Sequence, residues 1–417
     1  MIIYILYIIL SPFLWALLLI LLIFNKKIRL RFFSYSKLLN DALNQISKTD
    51  KKIILFHAAS NGELEQLKPI FRKIDRDVYF ILLTISSPSS INGINSNRID
   101  AFCYQAFDFP WLVYSFFKKI KPEKYIITRH DIWPNHIVIS KMLSIKCYLI
   151  NANLPKSSKR ILPIFKLLYH FLFNYFDQIY TVSKEMKHRI KEFLKEDAKV
   201  KVLGDTRFDQ IQYRKKNISS HITLPKKFEI SKNILFGSIE SRDINIIFDA
   251  LNNSQENFNN INFIFVPHEP DEKILIDLES RLKELDIKSM RYSIMIDQNT
   301  NNDFNALLID STGILADLYK YSSVSYIGCG FGKGVHNVAE PAIYGNTICF
   351  GPKYHILNEA IEMTEQKLAF SIQNGKELAR ILNIIFDEKR LSENSKKINK
   401  YIELKVDFTK TIINEIF

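Results

Sequence analysis

The chain has 417 residues, 47% of them hydrophobic, which suits a membrane segment plus two domains that each bury a core. Lys and Arg outnumber Asp and Glu by 57 to 44, a formal charge of +13, so acidic lipid surfaces and phosphorylated substrates are natural partners. The sequence carries no zinc-finger spacing, RNP-like aromatic motif or isolated basic arm, which sets nucleic acid aside, and its four cysteines form no C-x-x-C pair, so no metal and no disulfide is expected.

Residues 1–25 read as a membrane anchor. No side chain is charged through residue 24, and at ~1.5 Å per residue the helix reaches across a bilayer core. Lys26, Lys27, Arg29 and Arg31 follow at once, which favours a short N-terminus outside and the remainder cytoplasmic. The alternative is a monotopic segment lying in the interface, with Pro12 as a kink. A cleaved signal peptide fits less well, since the segment begins Met-Ile-Ile-Tyr without a basic start or a small-residue cleavage site.

Short apolar runs then alternate with amphipathic stretches. Ile53–His57, Val78–Thr84, Tyr125–Thr128, Cys147–Asn151 and Gln178–Val182 read as strands of a parallel sheet, placed within a domain at 35–212. A Lys-rich stretch at 213–232 reads as a linker. The pattern restarts with Asn233–Phe236, Asn262–Val266, Ala306–Ile309, Val324–Ile327 and Thr347–Phe350, giving a second α/β domain at 233–417. Two Rossmann-like domains facing across a cleft are the expected architecture, with ligands at the carboxyl ends of the strands.

The loops after the strands therefore hold the candidates. His57-Ala-Ala-Ser-Asn-Gly-Glu63 follows the first strand, with Gly62 allowing a tight turn and Glu63 in the first turn of a helix. Glu63 is either a general base toward a substrate hydroxyl or a carboxylate serving the helix dipole, and Glu65 shares the ambiguity. Thr128-Arg-His-Asp-Ile-Trp-Pro134 sets Arg129, Asp131 and Trp133 at one mouth, to grip an acidic sugar or to form a salt bridge beside a core tryptophan. Lys156, Lys159 and Arg160, and the segment Gly204-Asp-Thr-Arg-Phe-Asp209 with Arg207, are phosphate contacts or solvated turns.

In the second domain Pro267 and His268 follow a strand, and so does Asp310-Ser-Thr-Gly-Ile314, which offers Thr312, Gly313 and Ile314. The strongest anion-binding signal is Tyr326-Ile-Gly-Cys-Gly-Phe-Gly-Lys-Gly-Val-His-Asn-Val-Ala-Glu-Pro341, where a strand breaks into alternating glycines and opens a helix. Gly330, Gly332 and Gly334 let a nucleotide approach the backbone, Asn337 lies near the helix start, and Glu340 is expected about one turn inside, facing a ribose. The spacing is neither a Walker loop nor G-x-G-x-x-G.

Taken in order, His57-Ala-Ala-Ser-Asn-Gly-Glu63, the Trp133 motif, Asn151-Ala-Asn, Gly204-Asp-Thr-Arg-Phe-Asp209, Gly237-Ser238, Val266-Pro-His, Asp310-Ser-Thr-Gly, His336-Asn-Val-Ala-Glu340 and Phe350-Gly-Pro352 resemble the 3-deoxy-D-manno-octulosonic acid (Kdo) transferases, in their Bacteroidetes-like branch. The resemblance spans nearly the whole chain. It implies a GT-B fold and inverting transfer of Kdo from CMP-Kdo, without a metal or other cofactor, to the lipid A precursor lipid IVA at the cytoplasmic face of the inner membrane. It implies Glu63 as base, and Pro267, His268, Thr312 to Ile314 and Asn337 to Glu340 as CMP contacts. Arg129, Asp131 and Arg207 are the expected acceptor or sugar contacts; Asp131 stands where the family usually has Glu, and Arg129-His130 is an unusual lead-in. Asn61 replaces a commonly small or apolar residue. The competing readings are another GT-B transferase with a different nucleotide sugar, and a non-catalytic membrane-attached nucleotide-binding relative.

Overall fold

A computed structural model describes residues 2–94, 98–154, 158, 162–195, 199–217, 222, 224–254, 261–298 and 304–417. Its first sheet contains β1 (Lys52–Ala58), β2 (Tyr79–Ile85), β3 (Ala101–Tyr104), β4 (Lys124–Thr128), β5 (Lys146–Ala152), β6 (Gln178–Thr181) and β7 (Val200–Val202). All are parallel, in the order β3-β2-β1-β4-β5-β6-β7. The strands are apolar on both sides because helices cover both faces; all seven residues of β2 are buried. The order reverses between β1 and β4, where His57 lies in register with Ile127. That junction is the expected ligand position in an open parallel sheet.

The second sheet repeats the plan with β8 (Asn233–Ile239), β9 (Asn262–Pro267), β10 (Ser289–Arg291), β11 (Ala306–Leu308), β12 (Val324–Ile327), β13 (Thr347–Phe350) and β14 (Ala369–Ser371). Its order is β10-β11-β9-β8-β12-β13-β14, again all parallel, with the reversal between β8 and β12. Every strand expected from the sequence is present. The unanticipated strands β3, β7, β10 and β14 are three or four residues long, too short for an apolar run to stand out.

The domain limits differ from the expected ones. One compact unit comprises residues 1–210 with Lys405–Phe417, the other Ile211–Leu404. The final helix Phe408–Ile416 therefore belongs to the first domain, where Ile412 and Ile416 join the core beside Phe56, Leu64 and Phe71. Asp209 holds its start, accepting hydrogen bonds from the Asp407 and Thr409 amides at 2.6 and 2.7 Å. The stretch expected as a linker carries the ends of real elements: Arg207–Lys216 and Lys226–Ile230 are helical, and Phe228 is fully buried. Its lysine content concealed the buried Ile222, Leu224 and Phe228.

Helix α1 (Ile2–Phe24) is long and apolar enough to cross a membrane, and α2 (Lys26–Ile46) follows after Asn25, whose side chain caps it by accepting from the Lys27 and Ile28 amides. One stripe of α1, at helical spacing, is docked on the first domain. Tyr4 Oη donates to Asn135 Oδ1 at 2.9 Å, Tyr7 Oη to Asp108 Oδ2 at 3.0 Å, Ser11 is buried, and Trp15 meets Phe109 edge-on with centroids 5.0 Å apart. The opposite face exposes Ile2, Leu6, Ile9, Phe13, Ile20 and Phe24. This packing of α1 along the first domain is the arrangement that a monotopic segment would have. The charge pattern could not register the tyrosine contacts.

Candidate active site

In the first domain, Ser60 caps α3 (Asn61–Lys73), its Oγ accepting from the Glu63 amide at 3.4 Å. The Glu63 carboxylate turns back and accepts from the Ala59 amide at 2.6 Å. Glu63 is only 3% exposed. Burial pushes its pKa above the ordinary glutamate value, against the Ala59 bond and the fields of His57 and Arg129, which favour the charged form. Gly62 needs no special backbone here: it is helical, and an added Cβ would meet nothing nearer than Ser60 Oγ at 3.9 Å. The tight turn expected of it is absent, and a methyl group could be added there in ordinary contact with Ser60.

The neighbouring strand brings a second carboxylate. Asp131, in the loop between β4 and α5 (Pro134–Met142), accepts from His57 Nε2 at 2.8 Å and from Ser86 Oγ at 3.1 Å. Burial alone would raise its pKa, but the bonds from His57, Trp133 and Ser86 hold it well below the usual aspartate range. The Thr84 hydroxyl donates to the Phe56 carbonyl, so His57 Nδ1, 3.1 Å from Thr84 Oγ1, also faces an acceptor. Both ring nitrogens thus have a polar partner. Arg129 adopts a left-handed backbone, φ 69°, with its amide on the Ile150 carbonyl.

Other first-domain candidates have structural partners. Arg207 pairs with Asp205 at 3.2 Å, and Asp205 accepts from Gln66 on α3. Glu65 pairs with Lys68 and accepts from Gln210. Asn151, also left-handed, binds Thr128 and Thr206 and ties β4, β5 and the 204–209 segment together. Lys156, Lys159 and Arg160 lie outside the described residues.

In the second domain, glycines draw the strand ends together. An added Cβ on Gly328 would stand 2.2 Å from the Ser238 carbonyl, and one on Gly330 2.5 Å from the Gly351 amide. These two serve backbone packing rather than ligand approach. Gly332 packs on Glu240 and Gly334, at φ +124°, on Ile356. Glu240 begins the helix Ser241–Asn252 in a capping box with Asp243, and Asp243 accepts from Tyr326 Oη and the Cys329 amide at 2.7 and 2.8 Å. Burial raises the Asp243 pKa against these bonds.

His268 and His336 stack with ring centroids 4.6 Å apart, and His336 Nε2 lies 3.1 Å from Cys329 Sγ. Burial, then His268, lowers the His336 pKa, and burial pushes the Cys329 thiol up to about 12. Their donor atoms lie within 4.8 Å of one another, close enough to share an ion, though a neutral imidazole beside a protonated thiol is equally a polar wall for a nucleotide. After Pro267, Thr312 and Gly313 are exposed beyond β11, and Gly313, φ +91°, has nothing within 4 Å of an added Cβ. Leu315 and Tyr319 lie over Gly237, which brings 312–314 beside the end of β8. Asn337 accepts from the Ala339 amide, and Glu340 is the second residue of a four-residue helix, Ala339–Ala342, not one turn inside a long one. Pro341 and Gly345 bound so short an element.

The family described as 3-deoxy-D-manno-octulosonic-acid transferase (kdotransferase) matches residues 26–210. A 3-deoxy-D-manno-octulosonic acid transferase of Aquifex aeolicus is 27% identical over 359 residues, 84% of this chain and 92% of that protein. One from Chlamydia muridarum is 22% identical over 357 residues, covering 82% of this chain and 80% of that protein. The chain is thus similar to Kdo transferases over more than four fifths of its length, and residues 26–210 match that family directly. Among solved structures, UDP-GlcNAc 2-epimerase from Neisseria meningitidis bound to UDP-GlcNAc is 13% identical over 87% of this chain and 98% of that one, with a TM-score of 0.59. That likeness concerns the fold, the GT-B pairing of two Rossmann-like domains.

Of the residues read from sequence, Glu63, Arg129 and Asp131 lie at the β1/β4 reversal and the glycine segment follows β12 at the β8/β12 reversal, while Pro267, His268 and Thr312 to Ile314 follow β9 and β11 and Arg207 is tied to Asp205. Sequence reasoning missed His57 as Asp131's partner, Ser86, and Glu240. His57 was discoverable as the one polar residue of Ile53–His57, and Glu240 from its E-x-x-D spacing to Asp243.

Proposed function

We propose that the chain transfers Kdo from CMP-Kdo to the lipid A precursor lipid IVA, with inversion at the anomeric carbon, at the cytoplasmic face of the inner membrane. The observation carrying this reading is Glu63: a buried carboxylate of raised pKa in the first turn of the helix that follows β1, at the switch point of the first sheet. A hydroxyl of the acceptor sugar attacks the anomeric carbon of Kdo, and Glu63 takes its proton as the new C–O bond forms. The bond from that carbon to the CMP phosphate breaks, and CMP leaves with the electron pair. A single displacement inverts the centre. The base is kept neutral by burial until the pH exceeds its raised pKa, and the fields of His57 and Arg129 favour its ionised form.

The donor falls to the second domain. Pro267 and His268 would pack on CMP, Thr312, Gly313 and Ile314 offer hydroxyl and amide donors, and Asn337 and Glu340 offer oxygen atoms to the ribose. His336, whose pKa burial lowers, presents its ring beside His268 as part of the same wall.

The test is incubation of the detergent-purified chain with CMP-Kdo and lipid IVA, with product masses read by mass spectrometry. A mass gain of whole Kdo units, abolished in Glu63→Gln with CMP-Kdo binding retained, is expected. Transfer undiminished in Glu63→Gln removes that residue as base. Stronger protection against thermal unfolding by UDP or GDP than by CMP would replace the donor with another nucleotide sugar.

A further inference from the structure

A groove of about 190 Å³ opens between α1 and the first domain, away from the residues assigned above to the nucleotide. Helix α1 contributes Leu14, Leu17, Leu18 and Leu21, and Phe107 and Phe109 face them from the segment after β3. Its volume lies below the usual range of small-molecule sites, which suits a narrow chain better than a sugar or a base. The leucines continue the exposed apolar face of the same helix, so the groove is an extension of the surface that α1 offers to lipid.

Two features distinguish it from a packing defect. Arg31 lines it, and this guanidinium donates to the Gln105 carbonyl at 2.7 Å and lies 4.4 Å from the Phe107 ring, while its Nε is buried with no hydrogen-bond partner. Among the described residues no carboxylate lies within ion-pair distance of it, although the Asp131 charge acts on it, and Asp108, also in the lining, is already satisfied by Tyr7, Asn135 and His136. A desolvated cation with a free N–H, set against apolar walls, fits an anionic group on an acyl-bearing molecule. The second feature is Trp133, in the same lining and 40% exposed, whose side chain hydrogen-bonds Asp131, the partner of His57. The lipid-facing groove and the polar cluster beside Glu63 thus share a wall.

We propose that this groove takes one acyl chain of the phosphorylated glycolipid acceptor and that Arg31 receives a phosphate of the same molecule. The inference rests on the transferase reading, and it makes the acceptor recognised through its lipid as well as its sugar. Bulk phospholipid is the alternative occupant. The acceptor is favoured because Trp133 connects the groove to the residues around the base.

The test compares kcat/KM for the acylated acceptor with that for its de-acylated, still phosphorylated sugar core. Filling the groove with Leu14→Phe/Leu18→Phe lowers the acylated-to-de-acylated ratio about tenfold, and Arg31→Gln lowers the ratio for phosphorylated over dephosphorylated acylated acceptor by a similar factor. Unchanged ratios in both variants overturn the proposal. If the native chain transfers nothing, the transferase reading fails by itself, and the groove is read directly. The three tryptophans, Trp15, Trp111 and Trp133, lie at or beside it, so dodecyl phosphate brominated along its chain, below its micellar concentration, quenches their fluorescence. Saturable quenching lost in the double variant supports an acyl site. Quenching that does not saturate, or that brominated phospholipid vesicles reproduce equally in native and variant chains, rejects it.

Discussion

His57 Nε2 donates to Asp131 Oδ2 across 2.8 Å, joining the end of β1 to the loop after β4 at the switch point of the first sheet. The imidazole is fully buried and the carboxylate 23% exposed, so removing one partner strands the other. Asp131→Asn is expected to destabilise the first domain by about 2 kcal/mol, and by less on a His57→Asn background. A double-mutant cycle by urea unfolding should return a coupling of at least about 1 kcal/mol. Because the Asp131 pKa is depressed, its contribution is present above the ordinary aspartate range and fades as pH falls through the lowered value. The native chain should therefore lose stability on acidification more steeply than Asp131→Asn.

Glu63 has the opposite sign. Its folded pKa is raised, so the native state holds its proton more tightly than the unfolded chain, and stability falls as pH climbs from the ordinary glutamate value through the raised one. Glu63→Gln keeps an acceptor for the Ala59 amide and never ionises. It should raise Tm at neutral pH while removing transfer, and native kcat/KM should rise with pH along an acid limb above the usual glutamate range. A variant less stable than the native chain at neutral pH would contradict the buried-base assignment.

Gly62→Ala separates folding from chemistry. The new methyl meets nothing within 3.9 Å and alanine favours helix, so stability should hold or improve by roughly 0.5–1 kcal/mol. If the acceptor passes over Gly62 to reach Glu63, KM for that substrate rises several-fold with CMP-Kdo binding unchanged. Native kinetics in this variant would place the acceptor elsewhere.

Gly204→Ala should act through the far end of the chain. At φ +97° any Cβ is strained, and here it would stand 2.1 Å from the Phe408 ring. The expected loss is about 2–3 kcal/mol, with faster hydrogen exchange in residues 405–417. Native-like protection of that segment would show that Asp209 alone suffices to hold it.

Much of this was legible beforehand because long buried strands write themselves as apolar runs: Tyr79–Ile85 has no residue that could face water. Glu63 was legible by its place after such a run. The Asp131 bond was hidden because it joins residues 74 apart in sequence, and no local spacing reveals which strand neighbours which. Gly328 and Gly330 looked like ligand cradles because sequence cannot distinguish a backbone that approaches a phosphate from one that approaches the next strand. The docking of α1 was hidden for a further reason: Tyr4, Tyr7 and Trp15 suit a membrane interface as well as a protein surface.

The return of Lys405–Phe417 to the first domain bears on how the chain is made. Translation delivers residues in order, so the pocket that receives Ile412 and Ile416 waits, greasy and open, while the whole of Ile211–Leu404 emerges. The lobe begun first is thereby the lobe finished last, and a ribosome stalled near residue 400 would release a chain whose second sheet is complete and whose first still lacks its closing helix.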